Sequence, residues 1–287
     1  TCRSEIFKPT CIQTMTFCHG LPPRRRVFRD PARAGAENMA ADHTLAHSVA
    51  QGGPSSGKGS AAPPAVLRLY TWKRPTISFG RNEPVLGVYS PDSDQLRNID
   101  LVRRPTGGRA VLHDEELTYA VAVPSRALGG ARETYRVLNH ALLNAVRSLG
   151  TVADIHGDPN ERALPLSAGP CFQSPAEGEV IANGRKLIGS AQARIGGALL
   201  QHGSIMISGD QTLLSTIGLS TSHHQPATLS EQIGEVDMER VVDAVVGSMK
   251  KCFGGGWAEG EYSADEKRMC TQLVESRYAA DQWTWRR

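Results

Sequence analysis

Long apolar runs and a strong excess of one charge are both missing from this chain of 287 residues. No apolar stretch approaches the ~20 residues that a helix needs to cross a bilayer, and the N-terminal residues lack the continuous apolar segment of a secretory signal. The net charge is only +3, whereas a nucleic-acid-binding protein is expected to concentrate basic residues on one face. We therefore expect neither a membrane nor a nucleic-acid partner.

Cysteines are few and scattered, and none of them forms a C-x-x-C pair. A disulfide scaffold would show an even and dense spacing, so we expect a reducing compartment, the cytoplasm. The spacing of the N-terminal cysteines fits no compact zinc knuckle, and we predict no metal and no other cofactor. The six cysteines are Cys2, Cys11, Cys18, Cys171, Cys252 and Cys270.

The length of the chain allows one large domain or two small ones and does not decide between them. Residues 1–25 lack sustained periodicity and are predicted to be an unstructured tail or a mis-assigned start. The run Arg24–Arg26 is typical of solvated surface or linker. Residues 51–64 are rich in Gly, Pro and Ser, as in a flexible linker, and are predicted to be a linker-like insertion.

Hydrophobic periodicity predicts both helices and strands. Long strand runs with flanking helices indicate an α/β (α+β) domain with a mixed, largely antiparallel central sheet. Helices are predicted at 34–50, 131–149, 237–251 and 264–280. Strands are predicted at 66–72, 76–80, within 101–123, and at 179–182, 186–194 and 198–207.

The segment RRPTGGRAVLHDEELTY, residues 103–119, combines paired arginines, a glycine pair and a histidine. Gly107 and Gly108 let a backbone approach a ligand closely and direct its N–H groups at a carbonyl or an anion; a tight connection between strands is the simpler explanation. The arginines could pair with an acidic surface or a phosphate-bearing carrier. His113 could pair with Asp114 or belong to a polar turn.

The segment PCFQSP, residues 170–175, places Cys171 in a loop bracketed by prolines. A buried structural cysteine usually lies within an apolar run on a strand or helix, and this one does not. A thiol in a loop is available for nucleophilic attack when its pKa is lowered. Cys171 is therefore the candidate nucleophile.

The segment NGRKLIGSAQARIGGALLQHGSIMI, residues 183–207, begins with a hairpin signal. Asn183–Gly184 favours a two-residue turn, which would bring 179–182 back against the residues that follow it. This return can place the ammonium of Lys186 near Cys171, where a cation stabilises a thiolate and can polarise an acyl carbonyl. The alternative for the lysine is a solvated side chain. Three small residues would leave room for a ligand chain: Gly189, Ser190 and Ala191.

These three segments, in this order, resemble the biotin/lipoate protein ligase family. ENMAADHTLA and LRLYTWKRPTISFGR resemble its N-terminal part, and PATLSE with a final helix ending in W-T-W-R resembles its C-terminal end. Within the family, the chain is similar to the octanoyltransferase branch. That branch is known for an acyl-thioester cysteine in a C-F loop and a following lysine that lowers the pKa of the cysteine. Cys171–Phe172 and Lys186 match both.

The resemblance implies a single acyltransferase catalytic domain over residues 26–287, with its core at about 62–255 and the fold of biotin protein ligases. It implies that Cys171 and Lys186 are catalytic. It also implies a set of substrate-binding residues within the motifs: Arg104, Thr106, Gly107, Gly108, Ala110, His113, Gly189, Ser190, Ala191, His202 and Gly203.

The implied reaction moves an octanoyl group from octanoyl-acyl carrier protein to a lysine of a lipoyl-domain protein, such as the glycine-cleavage H protein, in lipoate biosynthesis. It uses an acyl-cysteine intermediate, no cofactor and a monomeric enzyme. The main alternative is an ATP-dependent lipoate-protein or biotin-protein ligase, which forms an acyl-adenylate and needs no thiol. The third is a non-catalytic module that binds a carrier protein, in which Cys171 is incidental.

Overall fold

A computed structural model describes five ranges of the chain: 24–52, 65–88, 96–157, 177–217 and 225–287. The predicted tail, apart from its last two residues, and most of the predicted insertion at 51–64 lie outside these ranges. No helix within them is both long enough and apolar enough to cross a membrane.

The described residues form strands and helices in a mixed order along the chain. The strands are β1 (Arg24–Arg29), β2 (Ala65–Tyr70), β3 (Thr76–Phe79), β4 (Asp100–Arg103), β5 (Val111–His113), β6 (Glu116–Pro124), β7 (Ala153–Ile155), β8 (Val180–Ala182), β9 (Arg185–Ile195), β10 (Ala198–Met206) and β11 (Gly256–Glu259). The α-helices are α1 (Gly35–Ala50), α2 (Ala131–Ser148), α3 (Thr212–Ile217), α4 (Leu229–Ile233), α5 (Met238–Phe253), α6 (Ala264–Leu273) and α7 (Asp281–Thr284). A short 3₁₀ helix spans Ala127–Gly129, and a π-helical turn, Val274–Tyr278, continues α6.

The large sheet has eight strands in the order β11-β1-β2-β6-β10-β9-β8-β7. Strand β1 is parallel to both of its neighbours, β11 and β2, whereas the remaining described pairs of this sheet are antiparallel. A separate three-stranded sheet has the order β4-β3-β5. The prediction of a mixed, largely antiparallel sheet flanked by helices is therefore confirmed.

The hairpin between β8 and β9 forms where the sequence predicts it. Asn183 and Gly184 have φ angles of 49° and 72°, the positive values that a two-residue turn between antiparallel strands requires. The turn pairs Lys186 with Ile181 across the two strands. Local turn chemistry thus sets the position of Lys186 at the start of β9.

Helices α2 and α5 cover one face of the large sheet with apolar side chains. Along β6, Tyr119, Val121 and Val123 alternate toward this face, as the two-residue period of a strand requires. On α2, Leu138 and Leu142 are fully buried against them, four residues apart and therefore on one side of the helix. This layer is the largest of the hydrophobic clusters among the described residues.

The opposite face carries α1 and the C-terminal residues. Ala120 and Ala122 of β6 point to this side, where they join a second hydrophobic cluster that includes Tyr278. Buried charges lie within the same layer, because Asp42 of α1 and Arg68 of β2 are 1% and 0% exposed. The small sheet extends this side of the molecule and has a core of its own.

The basic run Arg24–Arg26 belongs to β1 and is not a linker. Arg25 is 3% exposed, and its Nη1 donates to the Gly254 carbonyl at 2.6 Å. Arg26 pairs with Glu266 at 2.7 Å. The expectation of solvated surface or linker was wrong because β1 pairs with strands from distant parts of the sequence, which no local pattern indicates.

Candidate active site

A narrow cavity, in which about 30 Å³ is open to the centre of a water-sized sphere, lies between the α1 face of the large sheet and the small sheet. Strands β2, β6, β9 and β10 contribute residues from the large sheet, β3 and β5 from the small sheet, and α1 contributes one methionine. Its lining comprises Met39, Tyr70, Trp72, Ser78, Arg104, Val111, His113, Thr118, Gly189, Ser190, Ala191, His202, Gly203 and Ser204.

One chain of hydrogen bonds runs through the buried layer to the cavity. Arg68 Nη1 donates to Asp42 Oδ1 at 2.7 Å, and His202 Nδ1 lies 2.8 Å from Asp42 Oδ2. His202 Nε2 lies 2.7 Å from Thr106 Oγ1. A neutral His202 therefore donates to Asp42 through Nδ1 and accepts from the Thr106 hydroxyl through Nε2.

The charge states of this chain follow from burial and pairing. Burial by itself would raise the pKa of Asp42, but Arg68 and the hydrogen bond from His202 hold that pKa below its usual value. Burial lowers the pKa of His202, against the opposing effect of Asp42. At neutral pH Asp42 is a carboxylate and His202 a neutral imidazole, which is the combination that fixes the tautomer of the ring.

A second chain reaches the cavity from the small sheet. His113 Nδ1 lies 2.8 Å from Glu116 Oε1, and His113 Nε2 lies 2.7 Å from Ser78 Oγ. The Trp72 ring stacks on the imidazole at a centroid distance of 4.1 Å. The partner of His113 is thus Glu116 and not Asp114, because β5 ends at His113 and β6 begins at Glu116, which leaves the exposed Asp114 in the turn.

Arg104 ties together the glycine-rich turn, residues 104–109. Its Nη2 donates to the carbonyls of Gly107 and Arg109 at 2.8 and 2.7 Å, and its Nη1 donates to the Ser78 carbonyl at 2.7 Å. A Cβ at Gly80 would lie 1.8 Å from the carbonyl oxygen of Gly108. The turn therefore packs directly on the end of β3 and is held there.

The neighbouring Arg103 is also buried. Its side chain is 0% exposed, and Nη1 donates to the carbonyls of Gly80 and Glu83 at 2.6 and 2.8 Å. The expectation that both arginines of this motif could meet an acidic surface is wrong for Arg103, because β4 directs its side chain into the interior.

Small residues on β9 and β10 form one wall of the cavity. Gly203 pairs with Ser190, and His202 with Ala191. A Cβ at Gly203 would lie 2.1 Å from the carbonyl oxygen of Gly189 and 2.9 Å from Cε1 of Tyr119. Any other residue at position 203 would push these strands apart, so the glycine is a steric requirement of the wall.

Lys186 is buried and paired. Its Nζ lies 2.7 Å from Glu179 Oε2, and the two side chains are 2% and 4% exposed. The alternative of a solvated lysine is therefore wrong. Lys186 precedes Gly189 by three residues on β9, which at about 3.3 Å per residue places it ~10 Å along the strand from the cavity wall.

Cys171 lies outside the described residues, between Gly157 and Glu177. At this boundary the flanking backbone is paired: Gly178 N donates to the His156 carbonyl at 2.7 Å, and His156 N donates to the Glu179 carbonyl at 2.8 Å. The described ends of the chain on either side of Cys171 therefore meet beside Glu179. The juxtaposition of Cys171 with Lys186 stays a prediction.

The structure brings most of the predicted substrate-binding residues to one cavity. Those that line it are Arg104, His113, Gly189, Ser190, Ala191, His202 and Gly203. Four others lie behind the lining: Thr106 bonds His202, Gly107 accepts from Arg104, Gly108 packs on Gly80, and Ala110 N donates to Glu83 Oε1 at 2.8 Å. Their roles with substrate stay predictions.

Sequence reasoning missed the residues that support these side chains. Asp42, Arg68, Glu116 and Glu179 are buried carboxylates or guanidiniums with partners far along the chain or across a turn. The alternation in LRLYTW is a signal that would have placed Tyr70 and Trp72 on one face. Asp42 and His202 are 160 residues apart, and no local pattern links them.

A family model and individual relatives of known name both match this chain. The family model described as the lipoyl protein ligase A/B catalytic domain matches residues 34–250. Octanoyltransferase LipM of Kyrpidia tusciae is 34% identical over 283 residues, which cover 91% of this chain and 98% of that protein. Octanoyltransferase LipM of Bacillus subtilis is 32% identical over 246 residues, which cover 78% of this chain and 87% of that protein.

Solved structures with a similar fold are lipoate-protein ligases. A lipoate-protein ligase A bound with ATP matches with a TM-score of 0.73 at 21% identity, covering 91% of this chain and 98% of that one. A bi-partite lipoate protein ligase from Thermoplasma acidophilum matches with a TM-score of 0.71 at 19% identity, covering 91% and 96%. At these identities the likeness shows the shared fold.

Proposed function

Because the chain belongs to the lipoyl protein ligase A/B catalytic domain family, in its octanoyltransferase branch, we propose that it transfers an octanoyl group through an acyl-cysteine at Cys171. The donor is octanoyl-acyl carrier protein, and the acceptor is a lysine of a lipoyl-domain protein such as the glycine-cleavage H protein. The buried pair of Lys186 and Glu179 is the observation that carries the proposal.

The reaction has two half-steps. The Cys171 thiolate attacks the thioester carbonyl of the donor, a new C–S bond forms, and the carrier thiolate leaves and takes up a proton. The neutral amine of the acceptor lysine then attacks the acyl-cysteine and loses one proton, the amide forms, and the C–S bond breaks to release the Cys171 thiolate. This proton balances the one that the carrier thiolate took up. Exchange of one thioester for another is nearly neutral in free energy and conversion to an amide is downhill, so no ATP is required.

Lys186 supplies a positive charge at a fixed position. Glu179 holds the ammonium at 2.7 Å within the protein interior, so its position needs no reorganisation during the reaction. A fixed donor of this kind stabilises the oxyanion of a tetrahedral intermediate, and a nearby cation favours a thiolate. The chain ends that flank Cys171 meet beside Glu179, which supports a short separation between the thiol and this pair.

The cavity suits a medium-length acyl chain. Met39, Trp72 and Val111 provide apolar surface, and Gly189 and Gly203 keep one wall thin. Burying about seven methyl and methylene groups at roughly 0.8 kcal/mol each would contribute ~5 kcal/mol, enough to discriminate between chain lengths.

The decisive test is intact-mass analysis of the protein after incubation with octanoyl-acyl carrier protein in the absence of ATP. We expect a gain of one octanoyl group that hydroxylamine removes. Cys171→Ala should abolish the adduct, whereas Cys252→Ala and Cys270→Ala serve as matched controls and should retain it. An adduct that persists in Cys171→Ala would exclude this nucleophile, and strict dependence on ATP with free octanoate or lipoate would indicate a ligase.

A second measurement tests the charged pair through the pH profile of iodoacetamide labelling at Cys171. Lys186→Ala should move the profile to higher pH by roughly one to three pH units, since it removes a nearby cation. Glu179→Gln keeps the shape of the side chain and should move the profile to lower pH, because the lysine charge is no longer offset. Superimposable profiles for wild type and Lys186→Ala would leave Lys186 without a role in the ionisation of the thiol.

A further inference from the structure

Arginine side chains from three parts of the chain gather beside the glycine-rich turn. We name Arg81, Arg103, Arg277 and Arg286 the arginine cluster. The guanidinium carbons of Arg277 and Arg286 lie 4.7 and 3.8 Å from the ring centroid of Trp283, whose Nε1 donates to the Arg103 carbonyl at 2.7 Å. Arg286 Nη2 donates to the Arg81 carbonyl.

Three members of the cluster have no matching carboxylate among the described residues, whereas Arg103 lies in the field of Glu83. Within the described ranges, no salt bridge joins Arg81, Arg277 or Arg286 to an acidic side chain. Burial, together with the charges of Arg81, Arg287 and Arg277, lowers the pKa of Arg286. These guanidiniums therefore repel one another, and a bound anion would relieve the repulsion.

Two members of the cluster also have buried nitrogen atoms that no acceptor reaches. Arg103 is 0% exposed, and its Nη2 has no hydrogen-bond partner among the described residues; the same holds for Nε of Arg286. Burial and the charge of Arg286 lower the pKa of Arg103 to about 10, although Glu83 opposes this. A buried N–H group without an acceptor is costly in free energy, so both atoms indicate a site that an anion would complete.

The arginine cluster is connected to the cavity lining through Thr106. Arg81 N donates to the Thr106 carbonyl at 2.8 Å, and Thr106 Oγ1 bonds His202 in the cavity lining. Helix α1 also connects the cavity lining to the arginine cluster. Met39 lines the cavity, and His43 follows one turn later on the same side of the helix. Burial and the charge of Arg277 lower the pKa of His43 to about 4, which places this ring in the field of the cluster.

We propose that the arginine cluster binds the phosphodiester of the pantetheine arm on which the donor presents its octanoyl thioester. The proposal rests on the function proposed above. Such an arm carries an apolar acyl group at one end and a phosphate at the other, and the structure offers an apolar cavity and a set of guanidiniums connected to its lining through Thr106. Planar guanidinium groups match phosphate oxygens in geometry and charge. Anchoring both ends would fix the thioester between them.

The test compares two small thioesters that differ only in the phosphate, octanoyl-4′-phosphopantetheine and octanoyl-pantetheine. The wild-type protein should be acylated by the phosphorylated compound about tenfold or more faster at limiting concentration, as expected for a charge-assisted hydrogen bond. Arg277→Gln should lose this preference and keep the rate with octanoyl-pantetheine, and Arg277→Lys should recover part of it. Arg240→Gln, at an exposed position of α5, is the matched control and should keep the full preference.

Two results would overturn the proposal: no preference in the wild type, or an equal loss with both thioesters in Arg277→Gln. Calorimetry with 4′-phosphopantetheine and pantetheine makes the same comparison without acyl transfer. It therefore decides the role of the cluster even where neither thioester acylates the protein, a result that would count against the proposed function. Tighter binding of ATP than of 4′-phosphopantetheine, lost in Arg277→Gln, would identify a nucleotide phosphate and overturn the assignment to the donor.

Discussion

The two faces of the large sheet are built from different kinds of residue. The α2 and α5 face is packed mainly with leucine and valine side chains, and the neutral amides of Asn139 and Gln201 hydrogen-bond each other within it. The α1 face buries Asp42, Arg68 and His202 among its apolar residues. Both faces exclude water, so burial alone does not distinguish them.

This difference indicates two roles: residues of the apolar face stabilise the fold, and charged residues of the α1 face hold side chains in position at the cavity. Transferring an ion pair from water to the protein interior costs several kcal/mol per charge. Replacing such a pair by apolar residues often leaves the stability of the fold unchanged or raises it. The pair of Arg68 and Asp42 is therefore weak evidence for stability. Its connection to His202 and Thr106 instead indicates a role in holding two side chains at the cavity in one arrangement.

The largest expected effect comes from breaking the charged layer. Asp42→Asn leaves Arg68 with a buried charge that is only partly paired, and we expect a loss of about 3–5 kcal/mol in the free energy of unfolding, measured by urea denaturation. It also frees the tautomer of His202, so the rate of acyl transfer should fall and its pH profile should change.

Asp30→Asn is the matched control for this prediction. Asp30 also accepts from Arg68, at 2.7 Å, but Asp42 is the carboxylate that His202 contacts. Comparable losses of stability with a change in the pH profile confined to Asp42→Asn would support a positioning role. Identical pH profiles in the two variants would reduce Asp42 to a structural residue.

A somewhat smaller effect is expected on the apolar face. Leu142→Ala deletes a side chain that is 0% exposed and should lower the free energy of unfolding by about 3 kcal/mol through lost burial and a cavity. The rate per folded molecule should stay unchanged, because Leu142 packs between α2 and the sheet, away from the cavity. A change in the rate of acyl transfer without a change in the free energy of unfolding would contradict the assignment of this face to stability.

The smallest effect is a pH dependence of stability that arises on the α1 face. Burial lowers the pKa of both His43 and His202 below 6.5, to about 4 for His43. A folded-state pKa below the unfolded value contributes stability that is present above pH 6.5 and is lost as the pH falls toward the folded value. Urea denaturation at pH 7 and pH 5 should show this loss. His43→Gln should remove part of it, and an unaltered pH dependence in that variant would exclude His43 as a source.

Local sequence patterns predicted the helices and turns whose formation depends only on neighbouring residues. Helix α2, predicted at 131–149, spans Ala131–Ser148, because an amphipathic period needs only its own residues. The Asn183–Gly184 turn was predicted for the same reason. Strand β1 was missed, since its parallel partners come from elsewhere in the chain.

The candidate site could be predicted in part. The family resemblance identified seven residues that line the cavity, but only Gly189, Ser190 and Ala191 were predicted from their size, since small side chains leave room for a ligand. The supporting charges could not be predicted, since an aspartate on α1 and an arginine on β2 look like ordinary surface residues until the fold buries them together. The burial of Lys186 likewise depends on Glu179, whose partner no local sequence pattern indicates.

The α1 face is covered in part by residues from positions 278–287, so its packing depends on a segment far along the chain from α1. Tyr278 covers His43 through a 2.8 Å contact between its hydroxyl and Nδ1, and the Arg287 carbonyl accepts from the backbone of Val85 and Leu86 at 2.8 Å. Loss of these contacts would expose the His43 ring and leave the two backbone N–H groups without their acceptor, whereas the α2 and α5 layer would keep its packing on the other face of the sheet.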